Sequence, residues 1–174
     1  MNCYANYIFS AISILLGVIG GVFAYKQWTY ANRIRQSEFI NQIIEKLRFD
    51  KCIADTMYMI EYDHNWYSKD FYDSGSEIEF NIDKLLSYLS YICYLYDLKN
   101  ISKNGFKIFQ YDIAFICSSQ DVQTYLWNLY HYSKSQNTEC AFQYLIDYGI
   151  KYKLIDEKGF YCKEPGKYPR HLNF

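Results

Sequence analysis

Residues 7 to 25 read YIFSAISILLGVIGGVFAY, nineteen positions without a charge. As a helix rising about 1.5 Å per residue, such a run reaches roughly 28 Å, close to the hydrocarbon thickness of a bilayer. A buried core helix of this length and uniform lack of charge would be unusual. A secretory leader would need a positive n-region, a shorter apolar core and a small-x-small cleavage site. Here no Lys or Arg precedes the run, and Phe23-Ala24-Tyr25-Lys26 makes a poor cleavage site. The run therefore predicts a transmembrane helix, with residues 1–28 as the membrane segment.

The flanks orient it. Lys26, Arg33 and Arg35 follow the run and form a basic membrane flank, with no basic residue before it. The positive-inside rule then places the N-terminus outside and the rest of the chain in the cytoplasm. Tyr4, Tyr7, Tyr25, Trp28 and Tyr30 stand where interfacial aromatics belong. Beyond marking the flank, the three cations suit anionic headgroups or the mouth of a pore.

Within the run, small and polar residues recur at helical spacing. Asn6, Ser10, Ser13, Gly17, Gly20 and Ala24 are separated alternately by four and three positions, which keeps them on one face. Ile8, Ile12, Leu15, Ile19, Val22 and Phe23 occupy the other. Lipid accepts the bulky face. The slender one lets backbones approach closely, and Gly17 with Gly21 is a small-xxx-small pair. Self-association is the expectation, either as simple dimer packing or as a ring in which Asn6, Ser10 and Ser13 face water and line a pore.

Past the span the pattern stays helical. In KQWTYANRIRQSEFINQIIEKLR, Phe39, Ile40, Ile43, Ile44 and Leu47 recur at threes and fours, and neither Gly nor Pro interrupts the passage out of the span. One long helix through both parts is the economical reading. KCIADTMYMIEY predicts a short helix with Ile53, Met57 and Ile60 on one face, and DHNWYSKDFYDSGS a loop. EIEFNIDKLLSYLSYICYLYDL is strongly periodic. Ser102 suits a cap for the helix through Phe106, Phe109, Ile113 and Ile116, and Ser118 with Asp121 gives a cap signal before VQTYLWNLYHYSK. A last helix, TECAFQYLIDYG, is expected to stop at Gly149. The product is all-α: residues 29–150 form a compact bundle of about five helices, and residues 151–174, with both prolines, an irregular basic tail.

Charge is uneven although the net is −1. The stretch from Lys26 to Lys51 holds six basic and three acidic residues, the middle to Ile150 six basic and thirteen acidic, and the tail six and three again. The six cysteines stand far apart, with no CxxC and no zinc spacing, and Cys93 and Cys117 sit in apolar runs as small core residues. The 21 tyrosines fit either an AT-rich codon bias or a surface made for contacts.

Signals for catalysis are few. The histidines are His64, His131 and His171, and no HExxH, GxSxG, phosphate-loop or acidic metal pattern occurs. Glu77 and Glu79 read as helix-start carboxylates that complement the dipole. No cofactor and no metal site are expected. Small helical bundles of this size invite comparison with the HEPN ribonucleases, in which an Arg precedes a His by four to six residues. No arginine here stands at that interval before a histidine. Asn128-Leu-Tyr-His131 has the form of a degenerate remnant, with Asn where the catalytic cation would be. Without that cation phosphoryl charge goes unstabilised, so an enzyme is not expected and His131 reads as a hydrogen-bonded structural residue.

Several short strings carry a resemblance over nearly the whole chain: YKQW and ANRIRQSEFI after the span, a WY loop, IDKLLSYLSYICYL, LYHYSK and LIDYG. Together with the layout they resemble the small membrane Csx accessory proteins of type VI-B CRISPR systems. The resemblance implies an N-terminal transmembrane helix continuing into a cytoplasmic HEPN-like helical bundle. It also implies a homo-oligomeric ring that forms a pore in the bacterial inner membrane and depolarises it during phage infection. The functional partner would be an RNA-guided RNA-cleaving effector, with no direct nucleic-acid binding by this chain. Two readings compete with it: a membrane-tethered HEPN-type ribonuclease or RNA-binding module, drawn from the basic stretches at both ends of the cytoplasmic part, and an inert anchor that recruits a partner.

Overall fold

The structure, a computed structural model, describes residues 2–62, 66–67, 71, 77–164 and 166–170, without the side chains of residues 2–6 and 11. Among the described residues there are seven helices and no strand. They are α1 (Asn2–Phe49), α2 (Lys51–Tyr62), α3 (Glu77–Asp97), α4 (Lys103–Ser118), α5 (Gln120–Ser135), α6 (Gln143–Lys151) and α7 (Glu157–Tyr161). The chain divides into two compact units, 1–43 and 44–174.

The first unit is a stretch of α1 alone. Its continuity is consistent with composition: no proline interrupts the run. This helix is long and apolar enough to cross a membrane, and its most apolar window is wholly exposed.

The second unit is a helical bundle. α3 lies at its centre, packed against α2, α4 and α6, while α4 also meets α5 and α6. The periodicity of α3 puts Ile82, Leu85, Leu86, Leu89 and Ile92 in the core with no exposed surface. Phe109, Ile113 and Ile116 from α4, Tyr125, Leu126 and Trp127 from α5, and Leu145 and Ile146 from α6 fill the remainder. Cys93 and Cys117 are buried free thiols; burial pushes the Cys117 thiol up to about 12 and the Cys93 thiol higher still.

Local chemistry sets the ends of the helices. Asp50 breaks the chain between α1 and α2: its Oδ1 accepts from Ile53 N at 3.3 Å, and its carboxylate pairs with Lys84 Nζ at 3.0 Å. That lysine holds the Asp50 carboxyl below its ordinary value. α3 ends on Lys99 in the left-handed region, φ 60°, with Asn100 N and Ile101 N both bonded to Leu95 O. Ser102 caps α4 as expected, accepting from Gly105 N at 3.2 Å.

Three expectations need correction. The cap of α5 is Ser119, whose side chain accepts from Val122 N; Ser118 is the last residue of α4 and donates to Ala114 O at 2.7 Å. Gly149 is not a stop. It lies inside α6, and a methyl there would meet Ile155 Cδ1 at 2.6 Å, so close packing rather than chain reversal requires the glycine. The tail expected to be irregular contains α7, capped by Asp156, which accepts from Gly159 N at 3.1 Å. Of the expected loop from Asp63 to Ser76, all but Trp66, Tyr67 and Phe71 lie outside the described residues. Those three rings are buried against one another and against Tyr125, Tyr67 and Tyr125 being 5.2 Å apart edge-on.

Candidate functional site

The first candidate is the face of α1 that carries Ser10, Ser13, Gly17, Gly20, Gly21 and Ala24. Every described side chain from Tyr7 to Trp28 is exposed. A methyl added at Gly17, Gly20 or Gly21 meets no atom within 4 Å. A glycine inside a helix costs about 1 kcal/mol relative to alanine. Among the described residues no contact offsets that cost, so the slenderness of this face is unused by them. Ser13 Oγ donates to Phe9 O at 2.9 Å and is thereby satisfied by its own helix. Asn6 is helical, but its side chain lies outside the described residues. On the opposite face Ile8, Ile12, Leu15, Ile19, Val22 and Phe23 are 45–63% exposed, an unbroken apolar surface. Lys26, Arg33 and Arg35 follow, all exposed, with Thr29 Oγ1 donating to Lys26 O at 2.9 Å.

The second candidate pair, Asn128 and His131, sits one turn apart on α5. Neither faces solvent: Asn128 is fully buried and His131 nearly so. Asn128 Nδ2 donates to Thr124 O at 2.9 Å and to Pro169 O at 3.2 Å. His131 Nε2 lies 3.1 Å from Phe160 O. A carbonyl only accepts, so Nε2 carries the proton in this contact. Desolvation pulls the His131 pKa below its usual value, helped by the nearby Arg170 and Lys163 charges and opposed by the Phe160 bond. His64 and His171 lie outside the described residues.

Sequence reasoning missed the companions of these two residues. Gln123 Nε2 donates to Cys117 O at 2.8 Å and Leu154 O at 3.1 Å, its Oε1 accepts from Tyr168 at 3.0 Å, and Trp127 Nε1 donates to Cys162 O at 3.2 Å. Gln123, Trp127, Asn128 and His131 thus form a row of donors along α5, all directed at carbonyls of the C-terminal segment. The one signal available was their spacing of four, one and three along the helix.

Open clefts lie along α3. One of about 340 Å³ is lined by Lys46, Ile53, Lys84, Ser87, Tyr88 and Tyr91. Its neighbour, about 250 Å³, shares Ser87 and Tyr91 and adds Tyr94 and Tyr144. Lys46 Nζ stands 5.2 Å from the Tyr88 ring centre, and burial raises the Tyr88 hydroxyl to about 12. Among the described residues no group of three or more His, Cys, Asp or Glu side chains is placed to hold a metal ion.

No protein-family model matches the chain, and neither the curated proteins nor the solved structures yield a match.

Proposed function

We propose that this protein is a single-pass membrane protein whose copies associate through the slender face of α1 to form a pore, acting as an accessory in antiviral defence. The observation that carries the reading is the pair of unlike faces on one exposed, uncharged helix. The bulky face suits lipid. The face whose three glycines have no described neighbour within 4 Å of an added methyl suits a second helix. In a ring, Asn6, Ser10 and Ser13 line the axis, and Lys26, Arg33 and Arg35 set a positive charge at its cytoplasmic mouth. The CRISPR context and the HEPN-like label for the helical unit rest on the resemblance in the sequence alone, as do the inner-membrane location and the partnership with an RNA-cleaving effector.

The role proposed is not enzymatic. The engagement of Asn128 and His131 with backbone carbonyls supports this, since both side chains are already committed to holding the chain's own C-terminal segment. The test is membrane depolarisation and dye leakage in cells expressing Gly17→Leu or Ser13→Leu. Both variants should insert normally and lose leakage. Leakage equal to that of the unaltered protein overturns the pore, and a monomeric mass in detergent overturns the association.

A further inference from the structure

The C-terminal segment beyond α7 is a different kind of structure from the helices. Cys162, Lys163, Glu164, Gly166 and Lys167 are exposed, and after them Tyr168 is almost completely buried. It enters a cradle built by α5 and α7. Its ring lies parallel to Trp127, centroids 6.1 Å apart at 22°, and edge-on to Phe160 at 6.0 Å. Its hydroxyl donates to Gln123 Oε1 at 3.0 Å. The next carbonyl, of Pro169, accepts from Asn128 at 3.2 Å. The guanidinium of Arg170 stands 5.8 Å from the Trp127 ring centre and donates to Lys163 O at 3.3 Å.

We propose that this cradle is a peptide-binding site, specific for an aromatic side chain with a terminal hydroxyl followed by an accepting carbonyl and a cation, and that the chain's own Tyr168–Arg170 is its exchangeable occupant. The donors read backbone carbonyls, a feature any extended segment supplies, while the ring slot and the amide of Gln123 select tyrosine. An exposed connector carries a single buried side chain. The plug is held by the burial of one ring, its bond to Gln123, the Asn128 bond to Pro169 O and Arg170 over the Trp127 ring, set against the ordering of that connector, and the exchange proposed is a local opening that leaves the bundle folded. The same three residues on a second copy are the occupant in trans. The inference does not depend on what α1 does, because all of its residues belong to the second unit.

The probe is a fluorescent peptide of residues 163–174, KEPGKYPRHLNF, titrated into full-length protein in detergent. Tyr168→Ala protein, with its cradle emptied, should bind the peptide saturably. It should bind a peptide carrying alanine at the tyrosine position at least tenfold more weakly. Unaltered protein, already occupied, should bind less tightly than Tyr168→Ala. Folded Tyr168→Ala protein that takes up neither peptide, or both equally, overturns the proposal. If Tyr168→Ala proves insoluble, Tyr168→Phe decides. It keeps the ring stack and loses the bond to Gln123, so it should admit the peptide at lower concentration than unaltered protein, and equal uptake by the two overturns the site.

Discussion

Glycines and serines in the two units do opposite things. Gly17, Gly20 and Gly21 in α1 face open space, whereas Gly149 in α6 presses against Ile155 so closely that a methyl there would meet Cδ1 at 2.6 Å. Ser13 folds its hydroxyl back onto the preceding turn of a bare helix, whereas Ser102 and Ser119 cap helices. The apolar residues diverge likewise: Leu15 is 62% exposed and Leu85 not at all. Among the described residues the second unit bonds its buried side-chain polar atoms, Trp66 Nε1 excepted. In the first, among the described residues, the glycines meet no neighbouring atom and the large apolar residues stay exposed, on a helix long and apolar enough to cross a membrane.

The contrast breaks most sharply under large-to-small substitution. Trp127→Ala, deep in the bundle and bonded to Cys162, should destabilise the second unit by about 3–5 kcal/mol, read from denaturant unfolding of the protein in detergent. Leu15→Ala should leave that transition within about 0.5 kcal/mol, because its side chain is 62% exposed. A shift of several kcal/mol for Leu15→Ala would mean that α1 is part of the soluble core after all.

Glycine substitution sharpens the same point at smaller scale. Gly149→Ala forces a methyl against the Ile155 side chain and should cost about 1–3 kcal/mol, offset in part by alanine's higher helix propensity. Gly17→Ala meets no described atom within 4 Å and gains propensity, so bundle stability should hold. What should fall is association between copies, measured as the mass of the detergent complex. Serine caps give a third step. Ser119→Ala should cost about 1 kcal/mol, while Ser118→Ala, which removes only a bond back to Ala114 on an exposed position, should be nearly silent.

How much of this was legible in the sequence follows from the range of the interactions. α2 was read residue for residue, and the core of α3 and α4 from periodicity, because three- and four-residue spacing is written locally. Ser102 was found by the same logic. The choice between Ser118 and Ser119 turns on which residue leaves the helical conformation, and adjacent serines give a pattern no way to decide it. Gly149 was misread because a glycine near a helix end resembles a stop, while its true neighbour, Ile155, arrives only after the chain has turned at Lys153. The latch from α5 to the tail was invisible: its donors and acceptors lie 29 to 41 residues apart, and carbonyls carry no side-chain signature. His131 reads from the sequence as a hydrogen-bonded structural residue, and its bond to Phe160 O agrees, but the partners of His131 and Asn128 are visible only in the fold.

The smallest expected effect is a pH dependence, and it too separates the units. His131 is less willing to take a proton in the folded chain than in the unfolded one, through desolvation and the facing Arg170 and Lys163. Above the ordinary histidine value of about 6.5 both states hold it neutral, and its contribution is fully present. As pH falls below that point the unfolded chain binds the proton first, so stability declines until the folded pKa is passed. The carboxyl of Asp50, held low by Lys84, acts in the same direction but only below about 4, which keeps the two windows apart. Unfolding midpoints followed from pH 7.5 to 5 should therefore drop, and His131→Gln, which cannot titrate, should flatten that drop. α1 holds no histidine, so complex mass should not change over this window unless the association depends on the bundle. A profile that His131→Gln leaves unaltered would remove the histidine from the latch.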